Sequence, residues 1–108
     1  MFATADQILS RKPSCKDVHC PELGEGVEVR IQRLDARSFI ELMRQTKTDT
    51  DNAFVYWIAA SCINEDGSQM FTTERAKELG QVEFQLINRL ASEAMKMNGV
   101  GVDTAEKK

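Results

Sequence analysis

Histidine occurs once in the chain, at His19, and proline twice, at Pro13 and Pro21. A single imidazole leaves few options for a base poised near neutral pH. The sequence also lacks a Gly-x-Ser-x-Gly elbow, a phosphate-binding glycine-rich loop and a His-Glu-x-x-His helix, so the usual signatures of acyl transfer, phosphoryl transfer and zinc hydrolysis are missing and an enzyme is not expected. No run reaches the roughly eighteen apolar residues that a membrane span needs. The opening residues Met1, Phe2, Ala3, Thr4, Ala5 and Asp6 have neither the basic start nor the apolar stretch of a secretory signal, so the expected location is the cytoplasm. Basic blocks are absent too. Lys and Arg number 14 against 17 Asp and Glu, for a net charge of −3, which gives no field to draw in nucleic acid.

What the chain does have is an ordinary globular balance, 42% hydrophobic and 29% charged over 108 residues. A chain of that size folds around one core, burying roughly two thirds of the surface its unfolded form exposes. Three cysteines, Cys15, Cys20 and Cys62, are an odd number at unremarkable spacing and are expected to be free thiols in a reducing compartment.

Thr4 and Gln7 have the spacing of a capping box, predicting a short helix to about Arg11 that ends before Pro13. Residues 27–32 alternate apolar and polar, the period of a strand with one buried face, and residues 15–20 are a weaker extended candidate. Pro21, Gly24 and Gly26 suit the loop between them, so the two segments predict a hairpin. Asp35 is placed to cap an amphipathic helix with Ala36, Phe39, Ile40 and Met43 on one face and Leu42 beside them. Residues 46–51 then read as a polar connection. The segment 54–63 is apolar nearly all round and reads as a central buried helix, with Trp57 inside it. Asn64, Glu65, Asp66 and Gly67 form a turn signal, followed by Met70 and Phe71 as a brief extended stretch. Thr72 or Thr73 caps a short helix ending near Gly80, and a last helix spans about 82–98, stopped by Asn98 and Gly99. The expected fold is α+β: a mainly α-helical single domain, residues 1–99, with an N-terminal β-hairpin, and a mobile C-terminal segment, residues 100–108.

Two groupings invite a ligand and fail on inspection. Cys15, His19 and Cys20 supply too few metal ligands, and on a strand Cys15 and His19 face one way while Cys20 faces the other. If Gly67 took the turn glycine's place in a calcium loop, the first ligand position would fall on Cys62 and the bidentate acid on Thr73, neither of which serves a hard cation. No metal and no cofactor is expected.

The last helix carries more apolar surface than one core needs. At 100° per residue Val82, Phe84, Leu86, Ile87, Leu90, Ala91, Ala94, Met95 and Met97 sweep an arc of about 220°, against the ~100° stripe of an ordinary surface helix. It is expected to touch two surfaces. Val82, Leu86, Met95 and Met97 are therefore the candidate partner-binding residues, with Met95 and Met97 toward opposite edges of the arc.

Several of these elements recur as a set. The strand through Val27, Glu28, Val29 and Arg30, the apolar helix running into the acidic turn and on to Met70 and Phe71, then Leu79 and Gly80, and a final helix closing on Met97, Asn98, Gly99 and Val100 together resemble the tail assembly chaperones of long-tailed bacteriophages. The resemblance spans about residues 4–100 and departs from the family pattern at Tyr56 and Trp57 and in the cysteine-bearing first strand. It implies a protein that binds and solubilises the phage tape measure protein, helps recruit tail tube subunits in the host cytoplasm, and leaves before the virion matures. It also implies possible homo-oligomers and, in many relatives, a longer product made by translational frameshifting, for which Glu106, Lys107 and Lys108 fit an A-rich slippery codon run. A neck or head-completion adaptor that stays in the virion is the alternative, and a small regulatory or metal-binding protein using Cys15, His19 and Cys20 is a third reading.

Overall fold

Thr4 opens the first helix, α1 (Ala5–Leu9), by the reciprocal bonding that its sequence predicts. The Gln7 N–H donates to Thr4 Oγ1 at 3.2 Å while the Thr4 N–H donates to Gln7 Oε1 at 2.8 Å, so two donors that a helix start leaves free are both satisfied. Ser10 caps its end, slightly short of Arg11. The computed structural model describes residues 1–100, and the C-terminal segment 101–108 lies outside them.

Strands β1 (Cys15–His19) and β2 (Glu28–Gln32) pair antiparallel with Val18 opposite Val29, which confirms the hairpin. The Cys20 N–H donates to Val27 O at 2.9 Å where the strands meet their connecting loop. Alternation places Val18, Val29 and Ile31 in the core, as a half-buried sheet requires.

Asp35 caps α2 (Ala36–Thr48), accepting the Ser38 N–H at 2.8 Å. The helix runs three residues into the expected polar connection, and its last turns use Thr46 Oγ1 and Thr48 Oγ1 to donate to the Met43 and Arg44 carbonyls. Leu42 is the buried residue of this helix, with Phe39 and Met43 partly covered. Ile40 is 68% exposed, a correction to its expected place on the core face. At 100° per residue it lies about 160° from Leu42.

A larger correction concerns 54–63. The helix α3 (Ala53–Ser61) stops at Ser61, and Cys62 turns to an extended backbone to begin a third strand, β3 (Cys62–Ile63). Cys62 pairs with Ile31 and Ile63 with Arg30 on the free side of β2. An unpaired edge of β2 beside a buried apolar segment leaves backbone groups in need of partners, and two helical residues give up their last turn to supply them. The sheet is thus three-stranded, in the order β1, β2, β3.

Asn64 and Ser68 then close a turn whose Gly67 has φ +92°, with the Ser68 N–H and hydroxyl both donating to Asp66 Oδ1. Gln69 bridges back to Ile63. Thr72 caps α4 (Thr73–Ala76), which tightens into a 3-10 turn over Lys77–Gln81 rather than continuing as one helix. Val82 is extended, and α5 (Phe84–Met97) begins after it. Gly99, at φ +77°, donates to Lys96 O while the Val100 N–H donates to Met95 O at 2.8 Å. That is a Schellman closure, with Val100 packed against the core beside Met95 as the motif prefers.

Among the described residues five α-helices and the antiparallel sheet make the predicted mainly helical α+β fold. Helix α5 packs along α3 and touches β2, and α3 packs in turn on α2. Leu86, Ile87, Leu90, Ala91 and Ala94 of α5 are all buried, so much of the over-wide arc is consumed within the chain by two different neighbours. Among the described residues no helix is long and apolar enough to cross a membrane.

Candidate functional site

A concave surface lies between α2, α3 and the connection from β3 to α4. Trp57 anchors the two helices from below, its ring edge-on to Phe39 at 6.3 Å between centroids. Towards its C-terminal end α3 presents the small side chains Ala59 and Ala60 to this surface, after Val55 and Tyr56, and the space left is an open groove of about 990 Å³. Its floor is formed by Leu42, Val55, Ala59, Ile63 and Phe71, and its rim by Arg37, Glu41, Gln45, Asp49, Gln69 and Lys77.

The rim carries both signs of charge, and one end is fixed by a hydrogen-bonded set. Tyr56 Oη donates to Asp49 Oδ2 at 3.1 Å and Asn52 Nδ2 donates to the same oxygen at 2.9 Å. The bond to Asp49 pushes the Tyr56 phenol above its ordinary value, keeping it a neutral donor. An apolar floor between polar walls, open along its length, matches one face of an amphipathic helix better than an enclosed small molecule.

A second apolar surface lies at the corner where α3 and α5 begin. Phe54 and Phe84 stack with centroids 6.4 Å apart and planes inclined by 22°. Val82 lies beside them, 39% exposed, and Phe84 is 66% exposed. The concavity here, about 500 Å³, also involves Asp51, Leu79 and Ile87.

The four candidate residues from the sequence do not form one patch. Val82 belongs to this corner, ahead of α5. Leu86 is a core residue, 9% exposed. Met95 and Met97 are half-buried against the core at the other end of α5, about 20 Å along the helix axis from its start. The groove went unnoticed in the sequence because an all-round apolar helix reads as buried on every side. Its signal was the Ala59 and Ala60 pair, where small residues let a neighbouring backbone or side chain approach.

Ion pairs tie the hairpin to the helices. Arg89 holds Glu22 from the hairpin loop in a forked pair, at 2.8 Å from Nη2 and 3.1 Å from Nε, and this bond keeps the Glu22 carboxyl below its ordinary value. Arg30 grips Asp17 across the strands at 2.7 Å and also reaches Glu65 O at 3.2 Å. Cys20 and Cys62 are buried and Cys15 is exposed, all three free. Burial, with Cys20 nearby, pushes the Cys62 thiol up to about 12. Cys15 and His19 are exposed while Cys20 is in the core, the alternation that separates them on a strand. Among the described residues no three His, Cys, Asp or Glu side chains are grouped to hold a metal ion.

No family model matches the chain, and a search of curated proteins returns no match. Among solved structures, the tail assembly chaperone of bacteriophage HK97 superposes with a TM-score of 0.65, covering 90% of this chain and 95% of that one at 18% identity. The chain has the fold of that protein over nearly the whole length of both, in agreement with the resemblance carried by its sequence.

Proposed function

We propose that this chain is a phage tail assembly chaperone that binds the tape measure protein of its phage, keeps it soluble and helps bring tail tube subunits to it in the host cytoplasm. The observation that carries the reading is the end-to-end match of its fold to a tail assembly chaperone. The role is one of binding, without catalysis.

The groove between α2 and α3 is the surface best suited to this client. A tape measure protein is a long helical chain, and an amphipathic helix buries its apolar stripe most readily in a trough with an apolar floor and a polar rim. Met95, Met97 and Val82 retain exposed surface that a partner can add to this contact, whereas Leu86 offers little. Release is compatible with such a surface, because an open groove with mixed rim charges gives a moderate, reversible contact.

Co-expression tests the reading. The tape measure protein is expected to move from the insoluble to the soluble fraction when this chain is present, and to co-purify with it. Purified virions are expected to lack the chain. Its retention in virions at ring stoichiometry, with no effect on tape measure solubility, favours the neck or head-completion adaptor instead.

A further inference from the structure

The groove between α2 and α3 is lined by two acids, Glu41 and Asp49, and they differ in what already compensates their charge. Glu41 is paired with Arg44 one turn along the same helix. Asp49 forms no ion pair among the described residues. Its partners are the neutral donors Tyr56 Oη and Asn52 Nδ2, both on Oδ2, and Oδ1 accepts no hydrogen bond among the described residues.

Asp49 is also held in place. At the end of α2 its N–H donates to Gln45 O at 3.0 Å, and its carbonyl accepts the Asn52 N–H at 3.3 Å. The side chain is short, half-buried and tethered by two bonds, so it cannot swing into water when a client covers the groove. The two cations on the lining, Arg37 and Lys77, are exposed, and their long stems let the charged heads stay in water beside a covered floor. A helix seated on Leu42, Val55 and Ala59 therefore strips water from one uncompensated, immobile charge, that of Asp49. Doing so costs free energy unless the client brings a cation to it, and a carboxylate already fixed in position receives that cation without further ordering.

We propose, on the reading that the groove is the client surface, that Asp49 determines its specificity: it selects client helices that carry Lys or Arg at the edge of their apolar stripe and rejects those with an apolar or acidic side chain there. The apolar floor then supplies the affinity, and Asp49 chooses among helices with similar stripes and fixes one end of the bound helix.

Overlapping peptides that tile the tape measure protein of the same phage serve as probes, with binding to the full chain read by fluorescence anisotropy. Those that bind are expected to carry Lys or Arg beside the apolar stripe, and replacing that residue by Gln is expected to weaken binding at least about threefold. Asp49→Asn keeps an oxygen for Tyr56 and Asn52 while removing the charge. It is expected to retain the parent's melting temperature and to weaken the unaltered peptide by the same factor, while parent and variant bind the Gln-substituted peptide alike. A merely structural role for Asp49 moves both peptides equally, and that outcome overturns the inference. So does a Gln-substituted peptide that binds the parent chain as tightly as the unaltered one, a result that needs no variant of the chain to fold. Ala60→Arg separates this inference from the groove reading: if it abolishes binding while the Asp49 charge has no effect, the groove stands and its proposed selectivity falls. Binding untouched by Ala60→Arg, or no peptide bound at all, overturns both.

Discussion

Trp57 is 3% exposed and packs edge-on to Phe39, joining the two helices that bound the groove. Replacing it by Ala removes a large core side chain and is expected to cost about 3–5 kcal/mol, read as a fall in the denaturant midpoint with blue-shifted native emission in the parent protein. Unchanged stability contradicts its place in the core. The three thiols divide the same way. Cys62, pushed up to about 12, is a neutral thiol at physiological pH, and burial raises Cys20 as well. Since the thiolate is the reactive form, a thiol reagent at pH 7.5 is expected to modify Cys15 alone in the native protein and all three cysteines after unfolding. Rapid native labelling at more than one position counts against the burial of the other two. The burial of Trp57 was legible in the sequence from its place in the apolar segment 54–63, whereas the division of the thiols was not. The exposure of Ile40 was not, because the amphipathic stripe of α2 admits more than one centre until a neighbour fixes Leu42 inward.

At the scale of elements, the hairpin is held to α5 by Glu22 and Arg89. The bond from Arg89 keeps Glu22 below its ordinary carboxyl value of 4.5. A carboxyl lowered on folding contributes stability that is fully present above its unfolded pKa and is lost as pH falls through its lower folded value. Asp17, Asp35 and Asp66 are lowered for like reasons, beside Arg30, Ser38 and Ser68 respectively. Glu22→Gln is therefore expected to be less stable than the parent at pH 7 and to lose less stability between pH 5 and pH 3, as read from denaturation at each pH. Equal acid sensitivity in parent and variant contradicts the pairing. Caps, strand alternation and turn residues made α1, β1, β2, α2 and the last helix visible in the sequence, because each rests on local chemistry. The strand β3 was hidden for the opposite reason. Cys62 and Ile63 are equally apolar in a helix or a strand, and only the unpaired edge of β2, distant in sequence, decides between them.

For the whole molecule, the excess apolar surface of α5 is largely explained by its place between α3 and the sheet. Among the surfaces left open are the groove, whose small residues make it, and the corner around Phe84. Neither is a sequence motif, since each is assembled from segments far apart in the chain. Ala60 gives access to the groove without disturbing the core, being an exposed residue of α3 on its lining. The most direct test of the account is the amount of tape measure protein that co-purifies with the Ala60→Arg variant, compared with the parent chain in the same co-expression. The groove reading predicts a variant with the parent's melting temperature and a client yield reduced at least about tenfold, the effect of losing roughly 1.4 kcal/mol of binding. A well-folded variant that captures the client as fully as the parent contradicts it.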